Sequence, residues 1–106
     1  MAHKGYFSTA GEILLDILEE YGISQNEIAR SIFVHSNRIN AIVRGQRSIT
    51  ADTDLRLCKY FGVSQGYFLR LQMSCDMRKI RNNAPPDIKK IKSIKNNKLV
   101  KAKIAI

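Results

Sequence analysis

Between Gln25 and Arg44 the chain gathers side chains suited to reading and holding a polyanion. An asparagine carboxamide can pair bidentately with an adenine edge, and a guanidinium with guanine. Ser36, Asn37, Arg38, Asn40 and Ala41 fall on the polar side of one short helical stretch and are the candidates for base reading. Ser36, Asn37 and Ala41 occupy the N-terminal and central outer positions that enter a major groove. Asn40 also stands where it can turn sideways, and an Asn- and Arg-bearing face is equally what a plain solvated helix shows. Holding phosphates calls for helix-end amides and flanking cations. Gln25 opens the preceding helix, while Arg44, Gln46 and Arg47 surround Gly45. Arg47 has alternative partners in Asp52 and Asp54.

Other chemistries lack their residues. No paired carboxylates, nucleophile–base set or glycine-rich phosphate loop is spelled out, and Glu19-Glu20 reads as a solvated helix end. Catalysis is therefore not expected. Cys58 and Cys75 form no CxxC, and His3 and His35 are not spaced around them for zinc. Neither a metal nor a cofactor is expected, and the cysteines read as reduced thiols within helices.

The elements that must position these residues are all helical. Thr9-Ala10-Gly11-Glu12 fits a capping box. Ile13, Leu14, Ile17, Leu18 and Tyr21 follow at helical spacing, and Gly22 supplies a left-handed stop. Ser24-Gln25-Asn26-Glu27 repeats the capping pattern and opens a second helix over 25–31, with Ile28, Ala29 and Ile32 inward. A third begins near His35 or Ser36, carries Ile39, Ile42 and Val43 inward and closes at Gly45. Thr50 or Ser48 caps a fourth, with Leu55, Leu57, Cys58 and Phe61 apolar and Gly62 as its stop. Ser64 is the expected cap of a fifth, in which Tyr67, Phe68, Leu71 and Cys75 repeat. No period-2 run precedes residue 80, so no sheet is expected there.

Two short helices that touch at an angle need a small residue at the contact, and Ala29 supplies it. Val34 fills the space under the turn. This apolar pattern is that of a helix-turn-helix from Gln25 to Arg44. The turn position after Ile32 favours glycine, yet Phe33 stands there. Either Phe33 bears left-handed strain or the turn takes another shape.

Charge points to the same class of partner. Eighteen Lys and Arg face nine Asp and Glu, a net +9. Such an excess favours DNA, RNA or an anionic surface. Residues 1–83 hold eleven basic and eight acidic side chains, residues 84–106 seven and one. Two thirds of the net charge thus lies beyond Pro85-Pro86, where any helix must stop. The organisation read from this is an N-terminal arm over 1–8, a helix-turn-helix domain over 9–81 and a basic, proline-interrupted tail over 82–106. In that tail Ile88, Ile91 and Ile94 can line a short helix face, Leu99 to Ile106 can pair as an edge strand, and a frayed tail is the alternative. No stretch approaches the roughly 18 apolar residues of a membrane span, and no apolar leader follows Met1. A cytoplasmic location is the expectation, with no membrane partner.

Gly11-Glu12-Ile13-Leu14-Leu15, Gly22 to Ala29, Asn37 to Thr53 and Arg56 to Gln72 together resemble the HigA family of antitoxins, within the larger group of Xre/Cro-like regulators. The resemblance covers about residues 10–80. It implies an all-α, five-helix, lambda-repressor-like domain, here with a basic C-terminal tail. It further implies a homodimer that binds a palindromic operator in double-stranded DNA and represses its own operon, as one half of a type II toxin–antitoxin system. The partner so implied is a small RelE-like ribonuclease. The family's fifth helix usually contributes to the dimer contact, which places Tyr67, Phe68, Leu71 and Met73 near the twofold. Members often carry a Trp near Phe68 and a longer C-terminal helix; this chain has neither. An orphan regulator without a toxin, and an interaction module with weak DNA binding, are the alternatives.

Overall fold

Hydroxyls placed three residues ahead of an amide start three of the helices, as their sequence signatures require. In the computed structural model, which describes residues 9–95, Thr9 accepts from the Glu12 amide at 3.1 Å and opens α1 (Ala10–Tyr21). Ser24 accepts from Glu27 at 3.0 Å and opens α2 (Gln25–Ser31). Thr50 does the same for Thr53 at 3.4 Å, opening α4 (Ala51–Phe61). Gly22 and Gly62 end α1 and α4 in the left-handed conformation.

The remaining two starts use other groups. His35 caps α3 (Ser36–Val43), its Nδ1 accepting from the Asn37 amide at 3.1 Å. α5 (Tyr67–Asn82) follows Gly66 and has no side-chain cap of its own. Ser64, the expected cap, does not serve. Asp54 reaches across from α4 instead: Oδ2 accepts from Gly66 at 2.7 Å, and Oδ1 from Phe68 and Leu69 at 2.9 and 3.1 Å. Its carboxylate is buried, so the three amides satisfy a charge that water no longer reaches. A one-turn 3-10 helix spans Pro86–Lys90. Among the described residues no strand forms, and none of the helices is long and apolar enough to cross a membrane.

The inward faces of all five helices meet in one core. Leu14, Ile17, Ile28, Ile39, Leu57 and Phe68 are fully enclosed, and Ala29 is buried with them. α3 packs against both α1 and α2, so its orientation is set from two sides. Gly11 makes the first contact possible. A Cβ there would run into the Ile42 carbonyl oxygen, so the α1 backbone rests on that of α3.

Three further expectations change. Leu55 is exposed, and its neighbours Thr53 and Asp54 take the buried positions because Asp54 serves α5. Tyr21 is 58% exposed rather than packed with Ile17 and Leu18. Ile88, Ile91 and Ile94 line no buried face: all are exposed, the first in the 3-10 turn and the others beyond it. The edge strand expected over 99–106 lies outside the described residues. Cys58 and Cys75 are buried within α4 and α5, as expected. Phe33 adopts φ 60°, the strained alternative for the turn; for a non-glycine residue this costs about 1–2 kcal/mol.

Candidate nucleic-acid interface

α3 buries Ile39, Ile42 and Val43 and leaves the opposite edge outside. Asn37 and Asn40 are exposed there, with Ser36 and Ala41 half-buried beside them. The His35 cap fixes the backbone at Asn37, so the first exposed carboxamide projects from an ordered helix start.

Asn40 is committed sideways. Its Nδ2 donates to Oε1 of Gln25 at 3.2 Å, tying the middle of α3 to the first residue of α2. That pair stands at the α2 N-terminus, where free amides attract anions. Arg44, Gln46 and Arg47 are exposed on the connection after α3. Gly45, at φ 74°, turns the chain so that the Gln46 and Arg47 amides both donate to the Ala41 carbonyl, at 2.9 and 3.2 Å. Farther along the connection, Gln72 on α5 clasps Ile49. Its Oε1 accepts from the Ile49 amide at 2.7 Å, and its Nε2 donates to the Ile49 carbonyl at 3.0 Å. The segment bearing Gln46 and Arg47 is thus anchored at both ends.

Arg38 departs from the expected reading edge. Its guanidinium turns to α4 and donates to Asp52 at 2.8 Å, with Thr53 Oγ1 at 3.4 Å. Asp52 also accepts from Arg56 Nε at 3.0 Å, while Arg56 Nη1 donates to the Ile32 carbonyl at 2.9 Å. One carboxylate therefore joins α3 to α4, and one guanidinium joins α4 to the α2–α3 turn. The Arg38 bond first, then that of Arg56, holds the Asp52 carboxyl below the ordinary carboxylate value of 3.8. Both acids that could have paired with Arg47 are engaged elsewhere. Among the described residues Arg47 makes no ion pair.

Sequence reasoning missed Asp52, Arg56, Asp54, His35 as a cap and Gln72. Asp52 and Arg56 did carry a signal, their i,i+4 spacing; the single-residue reach of Gln72 to Ile49 carried none. Of the residues expected at a twofold, Tyr67 and Leu71 are half-buried and Met73 is 59% exposed. Phe68 is at 0% exposure, in ring contact with Phe61 and Tyr67. It is core, with no surface to offer a second copy.

A short helix held at both ends, its polar edge outward and cations at its exit, is the geometry of a helix-turn-helix DNA-binding regulator. The helix-turn-helix domain family model matches residues 11–74. Virulence-associated protein I of Dichelobacter nodosus is 45% identical over 69 residues, 64% of this chain and 64% of its own length. The chain thus spans just under two thirds of that relative. The structure is similar to that of Pseudomonas aeruginosa antitoxin HigA with the higBA promoter: TM-score 0.72, 34% identity, 81% of this chain and 96% of that one. It is also similar to an addiction module antidote protein of the HigA family from Coxiella burnetii: TM-score 0.71, 38% identity, 79% and 92% covered. The chain belongs to the helix-turn-helix domain family and, within it, to the HigA-type, Xre-like group.

Proposed function

We propose that the protein is a sequence-specific transcriptional repressor that binds a palindromic operator as a homodimer. Asn37, with Ser36 and Ala41, reads base edges. Gln25, Arg44, Gln46 and Arg47 hold the backbone, and the Asn40–Gln25 pair fixes the seating of α3 between them. Arg38 acts as a brace for α3 through Asp52. The observation that carries this reading is the exposed Asn37 edge on a helix whose opposite face is locked into the core. The dimer contact uses the exposed apolar row of α5, Met73 with Met77 and Ile80, which continues from half-buried Tyr67 and Leu71. The lysines of the tail, among them Lys89, Lys90, Lys92 and Lys95, add affinity that is blind to sequence.

As a HigA-type protein it represses its own operon in the cytoplasm and neutralises a RelE-like, messenger-cleaving toxin. A specific feature favours a second reading, an orphan regulator. α5 stops at Asn82 and prolines follow, where a longer helix would otherwise extend the surface open to a toxin. The neighbouring reading frame separates the two: a short basic one beside this gene supports the antitoxin. Footprinting the purified protein on its own promoter tests both versions of the repressor. Protection of two symmetric half-sites is expected, and an unprotected promoter would overturn the reading.

A further inference from the structure

Phe33 is the one non-glycine residue among those described with a positive φ, and it is 86% exposed. The strain returns little packing among the described residues. Backbone strain kept at an exposed side chain points to a use outside the fold. Phe33 borders a cleft of about 290 Å³ floored by Ile32 and walled by Leu55 and Tyr60, themselves 49% and 39% exposed. The charged residues that line it are Arg56 and Lys59, and no carboxylate does. Lys59 makes no ion pair among the described residues. None of the proposed base-reading or phosphate-holding residues lies in it.

The chain itself displays a segment of complementary chemistry. Tyr21, at the end of α1, is 58% exposed, and Glu19 and Glu20 before it are exposed too. Neither glutamate is ion-paired among the described residues. That segment offers one aromatic ring flanked by two carboxylates. The cleft offers four apolar side chains flanked by Lys59 and by Arg56, the latter already paired with Asp52. Its volume lies just below the range for small-molecule pockets, roughly 300–1,000 Å³, which suits one inserted side chain rather than a broad face.

We propose that the cleft receives the α1 end of a second copy of this chain, with Tyr21 seated against Phe33, Leu55 and Tyr60 and Glu20 facing Lys59, while Arg56 stays paired with Asp52. The two patches differ, so the contact joins neighbouring copies by a route separate from the α5 surface. Its small size makes it weak in free solution. It gains strength where DNA holds copies side by side at high effective concentration.

Sedimentation equilibrium of the full chain, run up to about 1 mM protein, tests this. Wild type is expected to associate beyond its basal oligomer. Lys59→Glu and Glu20→Lys should each weaken that step by about twofold to fivefold, and the double variant should restore it. Phe33→Gly should weaken it by about tenfold or more, the loss of one buried aromatic side chain. It should also melt at a higher temperature than wild type, because the strain is relieved. No association beyond the basal oligomer, a charge swap that fails to restore it, or a Phe33→Gly protein that associates normally or melts lower would each overturn the proposal.

Discussion

Asp52 and Asp54 stand two residues apart and do opposite work, one at the surface and one inside. Asp52 is held ionised by Arg38 and Arg56. A carboxyl depressed in the folded state contributes stability that is full above its ordinary value of 3.8. That contribution is lost as pH falls through the lower folded value. The stability gap between wild type and Asp52→Asn, read from urea denaturation at stepped pH, should therefore close in acid. A gap that stays constant would contradict the brace. Asp54 is buried and accepts from three α5 amides. Replacing it with Ala strands those donors, at a cost of about 3 kcal/mol, and the melting temperature should drop by on the order of 10 °C or more. A change under about 0.5 kcal/mol, usual for a neutral surface site, would mean that α5 finds another start.

α3 owes its orientation to a glycine on a different helix. Gly11→Ala would press a methyl group into the Ile42 carbonyl. Helix separation, not side-chain rotation, must absorb the clash, so a loss of about 1–3 kcal/mol is expected. Operator affinity should fall further than that of an equally destabilised core variant, because α3 itself shifts. Equal losses in the two would remove Gly11 from the positioning of the site. The sequence made the starts of α1, α2 and α4 legible through hydroxyl caps, and the ends of α1 and α4 through glycine stops, because those signals act within one turn of the chain. It also showed which face of α3 is buried. The start of α5 was not legible, because its cap comes from Asp54, twelve and more residues upstream. Arg38 was misread for a similar reason. Its helical position faces outward, but the partner that captures it lies on α4. Phe68 was placed near the twofold by the family resemblance alone, which does not separate a buried position of α5 from an adjacent exposed one.

The whole molecule divides its charge unequally, with a net +3 over residues 1–83 and +6 beyond. Removing residues 84–106 should lower the steepness of the salt dependence of operator binding by about 0.9 for each phosphate those lysines neutralise. At least two such units are expected from anisotropy titrations at two salt concentrations, and an unchanged slope would assign the tail to solubility alone. Base discrimination should survive the deletion, since Asn37 and its neighbours stay with the folded domain. The most direct test of the reading edge compares wild type and Asn37→Ala on the operator and on random duplex of equal length. Loss of one bidentate base contact predicts about 1–3 kcal/mol less affinity for the operator, with random duplex affinity nearly unchanged. Equal losses on both duplexes, or none on either, would contradict base reading by this edge.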